Sequence, residues 1–585
     1  MVNEYERSTT ALADRPQTTS GAVFATRLRG WLTAEPVLAS AFALVVAMVM
    51  TWPTLAGLST TIPQDTADPL LQAWQVAWNG HALLTDPGNL WQTNAFFPAK
   101  DALAFSDSLL GYAPAGLIGE GPEAALVRYN LLYIFAYALA CAGGYALARQ
   151  LGASWQGAAV AGFAFAFAPW RLAHGGHLNI LSTGGIVLAL AMLARGHGFS
   201  LREGYQPDRA RPGWALAGWL VAAWQLTLGF GVGLPFAYVL AGVVLVAAIR
   251  WFTTGRPPFP RRLLGADLAG GLAFAAVSVL MGLPYLRVLA ANPDARRSLW
   301  DVDVHSPPWY GFFLAPGESA IWGEVSERGR ADLAAPAEMT LLVGIVLITL
   351  AVFGLLVSAW SRKVRCWLAV GTAVSVVLAL GTKVIGDGEY TYLLLYHYLP
   401  AWDAIRTPSR LVLWTTLLLG LLAAGGITHL AERAAQTRRS RPLLAVALVL
   451  PALLVLGEGA NRTAHPEVPA APVAMSTLRS PALILPSEQI EDQQTMFFST
   501  DGFPVLANGG SGFLPRITDE MRKKTKNFPD RESVAHLRQL GVRTVVVHNR
   551  PRNNPAFRRA QSAELGELNV TVKRVHDDAY VFSLD

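Results

Sequence analysis

The chain has 585 residues, 52% of them hydrophobic and only 15% charged, with a mean hydropathy of +0.34. A soluble domain carries about 25% charged residues, so this composition excludes an ordinary soluble enzyme and points to a polytopic membrane protein. The net charge of +6 does not indicate nucleic acid, because the basic residues are dispersed among short loops with no aromatic-interleaved stripe.

Residues 1–35 are polar and mixed in charge, and the first apolar run, 36–56, has no small-residue cleavage site after it. That pattern predicts a tail followed by an uncleaved membrane helix. Further runs of the roughly 20 residues needed to cross a bilayer recur at 124–148, 153–169, 177–195, 213–230, 233–251, 263–290, 338–360, 366–382, 410–431 and 443–459. The fold class expected is therefore a polytopic α-helical membrane protein of about 11 transmembrane helices with a soluble α/β domain at its carboxy terminus. The pair 213–251 is divided only by "GFGVGLP", read as a tight turn.

Alternate short loops carry Arg149, Arg195, Arg250, Arg362, Arg433, Arg438, Arg439 and Arg441, whereas the long loop 57–123 has a single lysine, Lys100, against several acids. The positive-inside rule then puts tail 1–35 in the cytoplasm and loop 57–123 outside, in a multi-pass protein of the cell membrane. After residue 460 charges of both signs mix with strand-like runs, and 460–585 is expected to be an extracytoplasmic α/β domain. Within it, "DRESVAHLRQLGVRTVVVHN" reads as an amphipathic helix, a glycine stop and a buried strand. "LANGGSGFLP" lacks the spacing of a nucleotide site and reads as a tight turn, and "MRKKTK" as a solvated basic face. Cys141 and Cys366 both fall in predicted spans, which disfavours a disulfide framework or a thiolate zinc site.

The first long loop opens with "STTIPQDTADPLLQAWQVAW". Asp68 before Pro69 predicts a helix N-cap, and Leu70, Leu71, Trp74, Ala77 and Trp78 form an apolar stripe opposite Gln72, Gln75 and Asn79. Such a helix is expected to lie along the outer membrane interface with its tryptophans at the headgroups. Asp65 has no comparable local duty. The loop runs on through "NAFFP" and is too rich in aromatics and prolines for a solvated linker.

This Asp-x-x-Asp, followed by a Trp-rich helix and "NAFFP", resembles the first outer loop of bacterial membrane glycosyltransferases of the GT-C superfamily, which includes protein O-mannosyltransferases and lipid A aminoarabinose transferases. The resemblance covers most of the chain in layout and implies transfer of a hexosyl or pentosyl group from a polyprenyl-phosphate sugar donor to an acceptor hydroxyl, with cell-envelope glycans as the expected products. By that likeness the transfer is inverting, with a loop carboxylate as base; no cofactor is certain, and a divalent metal is left open, with Asp68 joining Asp65 in a metal or acceptor contact as the alternative to positioning the loop. The acceptor is left open among a lipid, a glycan, a protein and a secreted small molecule.

Such chemistry needs a base for the hydroxyl and cations for the departing phosphate. Asp65 is the expected base, with Asp68 positioning the loop. Arg171, His174 and His177 in "PWRLAHGGHLNI", and Arg406 and Arg410 in "WDAIRTPSR", are the phosphate candidates. The loop 291–337, with Asp301, Asp303 and Glu318 among aromatics, reads first as an interfacial belt. A transporter or flippase for a lipid-linked glycan and a non-catalytic membrane scaffold are the alternatives. The first of these tends to place charge mid-span, whereas the acids here lie in loops and at span ends.

Overall fold

The computed structural model describes residues 34–436, 447–549, 554–575 and 578–584. Nearly all of the predicted tail 1–35, together with Arg438, Arg439 and Arg441, lies outside these residues. Each of the other predicted spans contains a helix. We label these α1 (Glu35–Met50), α3 (Gly121–Gln150), α4 (Trp155–Phe167), α5 (Gly184–Gly196), α6 (Pro212–Leu226), α7 (Phe230–Thr253), α8 (Arg261–Ala291), α9 (Ile345–Leu356), α10 (Arg362–Ala379), α11 (Val412–Gln436) and α12 (Leu450–Glu458), with α2 (Asp68–Thr85) in the first loop. Among the described residues five helical segments are long and apolar enough to cross a membrane: Gly121–Gln150, Leu178–Gly196, Phe230–Thr253, Arg261–Ala291 and Pro408–Gln436.

The shorter helices have local causes. Helix α4 stops at Ala168 because Pro169 disfavours helical geometry in the residue before it. The predicted span 338–360 begins only at Ile345, because 341–342 run extended: Leu341 N–H donates to the Gly311 carbonyl and Leu342 N–H to that of Leu314. This displaces Glu338 from the predicted span into a short loop helix, Pro336–Met339. The expected break within 213–251 is present, with α6 ending at Leu226 and α7 starting at Phe230.

Helices α3, α4 and α11 form the buried centre; α5, α6 and α8 extend it on one side, and α9 and α10 on the other. Their packing is close because small residues face one another. A Cβ on Gly144 would sit 3.1 Å from Cα of Gly162. At the end of the bundle away from loop 57–123, Arg149 pairs with Glu35 at 2.5 Å.

Beyond the bundle, strands β1 (Ala482–Leu485), β2 (Thr544–His548), β3 (Thr571–Val575) and β4 (Ala579–Ser583) form one sheet in the order β1-β2-β4-β3. β1 and β2 are parallel; the other pairs are antiparallel. Helices α13 (Gln489–Phe498), α14 (Arg516–Lys524), α15 (Arg531–Leu540) and α16 (Pro555–Ser562) accompany it. The predicted helix, stop and strand are seen as α15, capped by Asp530, then Gly541 at φ 84°, then β2, which is buried throughout.

"LANGGSG" is not a simple turn. Ala507 N–H donates to the Ala482 carbonyl of β1, while Leu506 and Asn508 exchange backbone hydrogen bonds with Asn94, Phe96 and Phe97. The "NAFFP" loop is thereby joined to the sheet. In "MRKKTK", Arg522 is not a solvated cation; it pairs at 2.8 Å with Asp492, which is fully buried.

Candidate functional site

The site is assembled where the start of α2 meets segment 169–181, the start of α7, the loop before α11 and helix α13. The local hydrogen bond expected of Asp68 is made by Asp65 instead. Ala67 is the N-cap of α2, and Asp68 is already helical with no side-chain capping bond. Asp65 is exposed, and its Oδ1 accepts the Ala67 N–H at 2.9 Å, so it is the acid that holds the turn.

Helix α2 does not present its tryptophans at a surface: Trp74 and Trp78 are 1% and 8% exposed. Its predicted polar face is buried, with Gln72, Gln75 and Asn79 6%, 2% and 0% exposed. Gln75 and Asn79 donate to the carbonyls of Asp107 and Ser108. On the other face, Trp74 donates to Asn94 and Trp78 to the Leu90 carbonyl, and Phe503 packs on Trp78 and stacks on His81. The amphipathic pattern is real, but both faces meet protein.

Freed from capping, Asp68 projects toward His177, whose Nε2 is 3.0 Å from Asp68 Oδ2; Gln493 Nε2 donates to Oδ1 at 2.7 Å. Burial pushes the Asp68 carboxyl up, but the His177 hydrogen bond and charge, then Gln493 and Arg406, outweigh it and hold it below the usual carboxylate range.

The "PWRLAHGGHLNI" candidates separate by depth. Arg171 is 0% exposed, donates to the Leu181 carbonyl and Thr183 Oγ1, and lies against the Tyr137 and Trp170 rings. Burial pushes it down to about 10. It holds its own loop and has no exposed surface for a phosphate. His174 is buried beside Glu338, Nε2 to Oε2 3.9 Å, and burial pushes it down to about 3, so it is neutral at ordinary pH. Only His177 reaches an acid of the first loop.

The cations before α11 differ likewise. Arg410 is bonded to Glu338 through Nη2 (2.5 Å) and Nε (3.3 Å). Desolvation would raise the Glu338 carboxyl, but Arg410 and His174 hold it far below the usual range. Among the described residues Arg406 has no ion-pair partner and faces Asp68 and Arg297. Burial first, then the charges of Arg406 and Arg410, hold the Arg297 guanidinium below its ordinary value. Arg406 and Arg410 thus lie near enough for their charges to act on Arg297, and a gathering of cations of this kind attracts an anion.

Sequence reading passed over Asp107, Glu338, Arg297 and Gln493. Asp107 lies in "SDS", where its Oδ1 accepts the Phe230 N–H at 2.6 Å and its Oδ2 accepts Asn179 Nδ2 at 2.6 Å. Gly231 lies between them: a Cβ there would be in ordinary contact with both Arg410 Nη1, at 3.4 Å, and Asp107 Oδ2, at 3.5 Å. The loop acids 301, 303 and 318 have other duties: Asp301 completes a capping box with Ser298, Asp303 pairs with Lys383, and Glu318 meets Gln64.

Among the described residues no three His, Cys, Asp or Glu side chains are grouped as a metal ion requires. The oxygens of Asp68 and Asp107 are turned to His177, Gln493, Asn179 and backbone amides. This donor set does not fit a resident divalent metal. Beside Arg410 and Gly231 lies a narrow apolar crevice of about 10 Å³, lined by Val232, Tyr392, Trp402 and Trp414.

No protein-family model and no curated protein matches the chain. Solved structures do. The archaeal oligosaccharyltransferase AglB from Archaeoglobus fulgidus, in complex with an inhibitory peptide and a dolichol-phosphate, is 14% identical with a TM-score of 0.43, over 89% of this chain and 70% of that one. The arabinofuranosyltransferase AftD from Mycobacteria is 16% identical with a TM-score of 0.48, over 95% of this chain and 41% of that one. ArnT from Cupriavidus metallidurans bound to undecaprenyl phosphate is 15% identical with a TM-score of 0.31, over 95% of this chain and 98% of that one.

Proposed function

We propose that the protein is a membrane glycosyltransferase that moves a sugar from a polyprenyl-phosphate donor to an acceptor hydroxyl on the extracytoplasmic face, with Asp68 in place of Asp65 as the general base. The observation that carries this reading is the meeting of one ionised, partly buried carboxylate, Asp68, with the unpaired cation Arg406 and its neighbour Arg297.

In this mechanism Asp68 takes the proton of the acceptor hydroxyl as that oxygen bonds the anomeric carbon. The carbon–oxygen bond to phosphate breaks with its electron pair on the departing phosphate, whose charge Arg406 and Arg297 stabilise. Attack opposite the leaving group inverts the anomeric centre. A carboxylate held below its usual range is ionised at neutral pH, which keeps it free to accept a proton at the cost of some basicity.

The test is consumption of labelled undecaprenyl-phosphate mannose, glucose and arabinose by the full chain in liposomes, with Asp65→Asn and Asp68→Asn beside wild type. Transfer that falls at least a hundredfold in Asp68→Asn and stays near wild type in Asp65→Asn is expected. Full activity in Asp68→Asn overturns the base assignment; no consumption by wild type of any donor overturns the transferase.

A further inference from the structure

The carboxy-terminal region reaches into the site. Helix α13, more than 400 residues along the chain from α2, packs directly on it, and Gln493 is 1% exposed. Its neighbour Gln494 bonds the Thr66 carbonyl and Oγ1 at 3.3 and 3.2 Å, so α13 grips the first-loop turn at two adjoining points. Gly510 packs closely on α13, where a Cβ would lie 2.4 Å from the Gln489 carbonyl oxygen and 3.1 Å from Gln493 Cγ.

We infer that Gln493 is a positioning residue of the active site: together with His177 it fixes both oxygens of the Asp68 carboxylate, so that the carboxy-terminal region completes the catalytic base. An ionised carboxylate only accepts hydrogen bonds, so the Gln493 amide must present its NH₂ to Oδ1, and His177 must present Nε2–H to Oδ2. That assignment uses one end of each side chain and leaves Gln493 Oε1 and His177 Nδ1 buried without partners. The inference rests on Asp68 as the base.

The charged and titratable groups that face Asp68 are Tyr129 of α3, His177, Arg406 and Arg410, with Asp65 facing the same Tyr129. Loss of the Gln493 donor removes a bond made only to the ionised form, and therefore raises the Asp68 pKa. The acidic limb of the pH–rate profile then moves up by about one pH unit. Gln493→Glu preserves the volume and raises the limb further by like-charge repulsion. Gln494→Ala, which loosens the same turn without touching Asp68, leaves it in place.

The experiment is the pH dependence of donor consumption by the full chain for wild type, Gln493→Ala, Gln493→Glu and Gln494→Ala. In parallel the Asp68 carboxyl is titrated by infrared difference spectroscopy against Asp68→Asn, a readout that needs no turnover. A carboxyl midpoint that rises in both Gln493 variants and not in Gln494→Ala supports the clamp. A midpoint unchanged in both overturns it. If wild type consumes no donor while the midpoint still rises, the transferase reading fails and the clamp on Asp68 stands.

Discussion

Arg410 Nη2 lies 2.5 Å from Glu338 Oε1, and Glu338 Oε2 lies 3.9 Å from His174 Nε2, which ties the loop before α11 to segment 169–181 through one buried acid. Both partners of the ion pair are largely withdrawn from solvent, with side chains 19% and 13% exposed. Removal of one partner leaves the other charge buried and unpaired, at a cost of about 3–5 kcal/mol. Glu338→Ala and Arg410→Ala are therefore expected to lower the thermal midpoint of the detergent-solubilised protein by similar amounts. The double variant should lose less than the sum, and a double-mutant cycle on thermal unfolding checks this.

His174 gives the fold an acid-sensitive point at mild pH. Its folded value, pushed down to about 3 by burial, lies below its ordinary 6.5, so between these values the unfolded chain binds a proton that the folded chain refuses. Stability is complete above pH 6.5 and falls as pH drops through the window from 6.5 toward 3. Glu338, Arg410, Arg171 and His177 surround the imidazole; only Glu338 favours its charging, and burial outweighs it. His174→Asn should flatten the fall in thermal midpoint between pH 6.5 and 5, where ordinary carboxylates have not begun to titrate.

Much of the helical frame was legible because apolar length alone marks a buried helix, and Asp530, Gly541 and the valines of β2 signal their positions through local chemistry. The site was less legible because its geometry is non-local. Asp-Pro suggested an N-cap at Asp68, yet the chain turns one residue earlier and Asp65 takes the local bond. Glu338 was absorbed into a predicted span because nothing in its vicinity announces the extended segment that delays α9. Gln493 carries no signal in sequence, since a glutamine on an amphipathic helix looks the same whether it faces water or a carboxylate 425 positions away.

Arg406 is the cation most available to a donor phosphate, because Arg410 is committed to Glu338 while Arg406 has no ion-pair partner among the described residues. A hydrogen bond to a charged group contributes about 1.5–3 kcal/mol. Arg406→Ala should therefore lower kcat/KM for the polyprenyl-phosphate donor by roughly ten- to a hundredfold, with little change in thermal midpoint. Arg406→Lys should recover part of the loss, since a lysine restores charge but not the planar fork. Initial rates against donor concentration, with melting curves on the same preparations, separate these outcomes.

The start of α7 hangs on a hydrogen-bond chain whose direction is fixed at both ends. Leu178 N–H donates to Gln72 Oε1; Gln72 Nε2 donates to Asn179 Oδ1; Asn179 Nδ2 donates to Asp107 Oδ2; and Asp107 Oδ1 accepts the Phe230 N–H. Only a group that accepts on both sides can stand at 107. In Asp107→Asn the new NH₂ meets the NH₂ of Asn179, and a flip of Asn179 would in turn set a donor against Gln72. A buried donor left unmet costs about 1–3 kcal/mol, so Asp107→Asn should lower the thermal midpoint and displace the start of α7 from Arg410. The exchange Asp107→Asn/Asn179→Asp restores every bond: the carboxylate at 179 accepts from both sides, and the amide at 107 donates to it and accepts from Phe230. We expect the double variant to regain most of the stability lost in Asp107→Asn, whereas Asn179→Asp alone, which sets two carboxylates against each other, should be the least stable of the three.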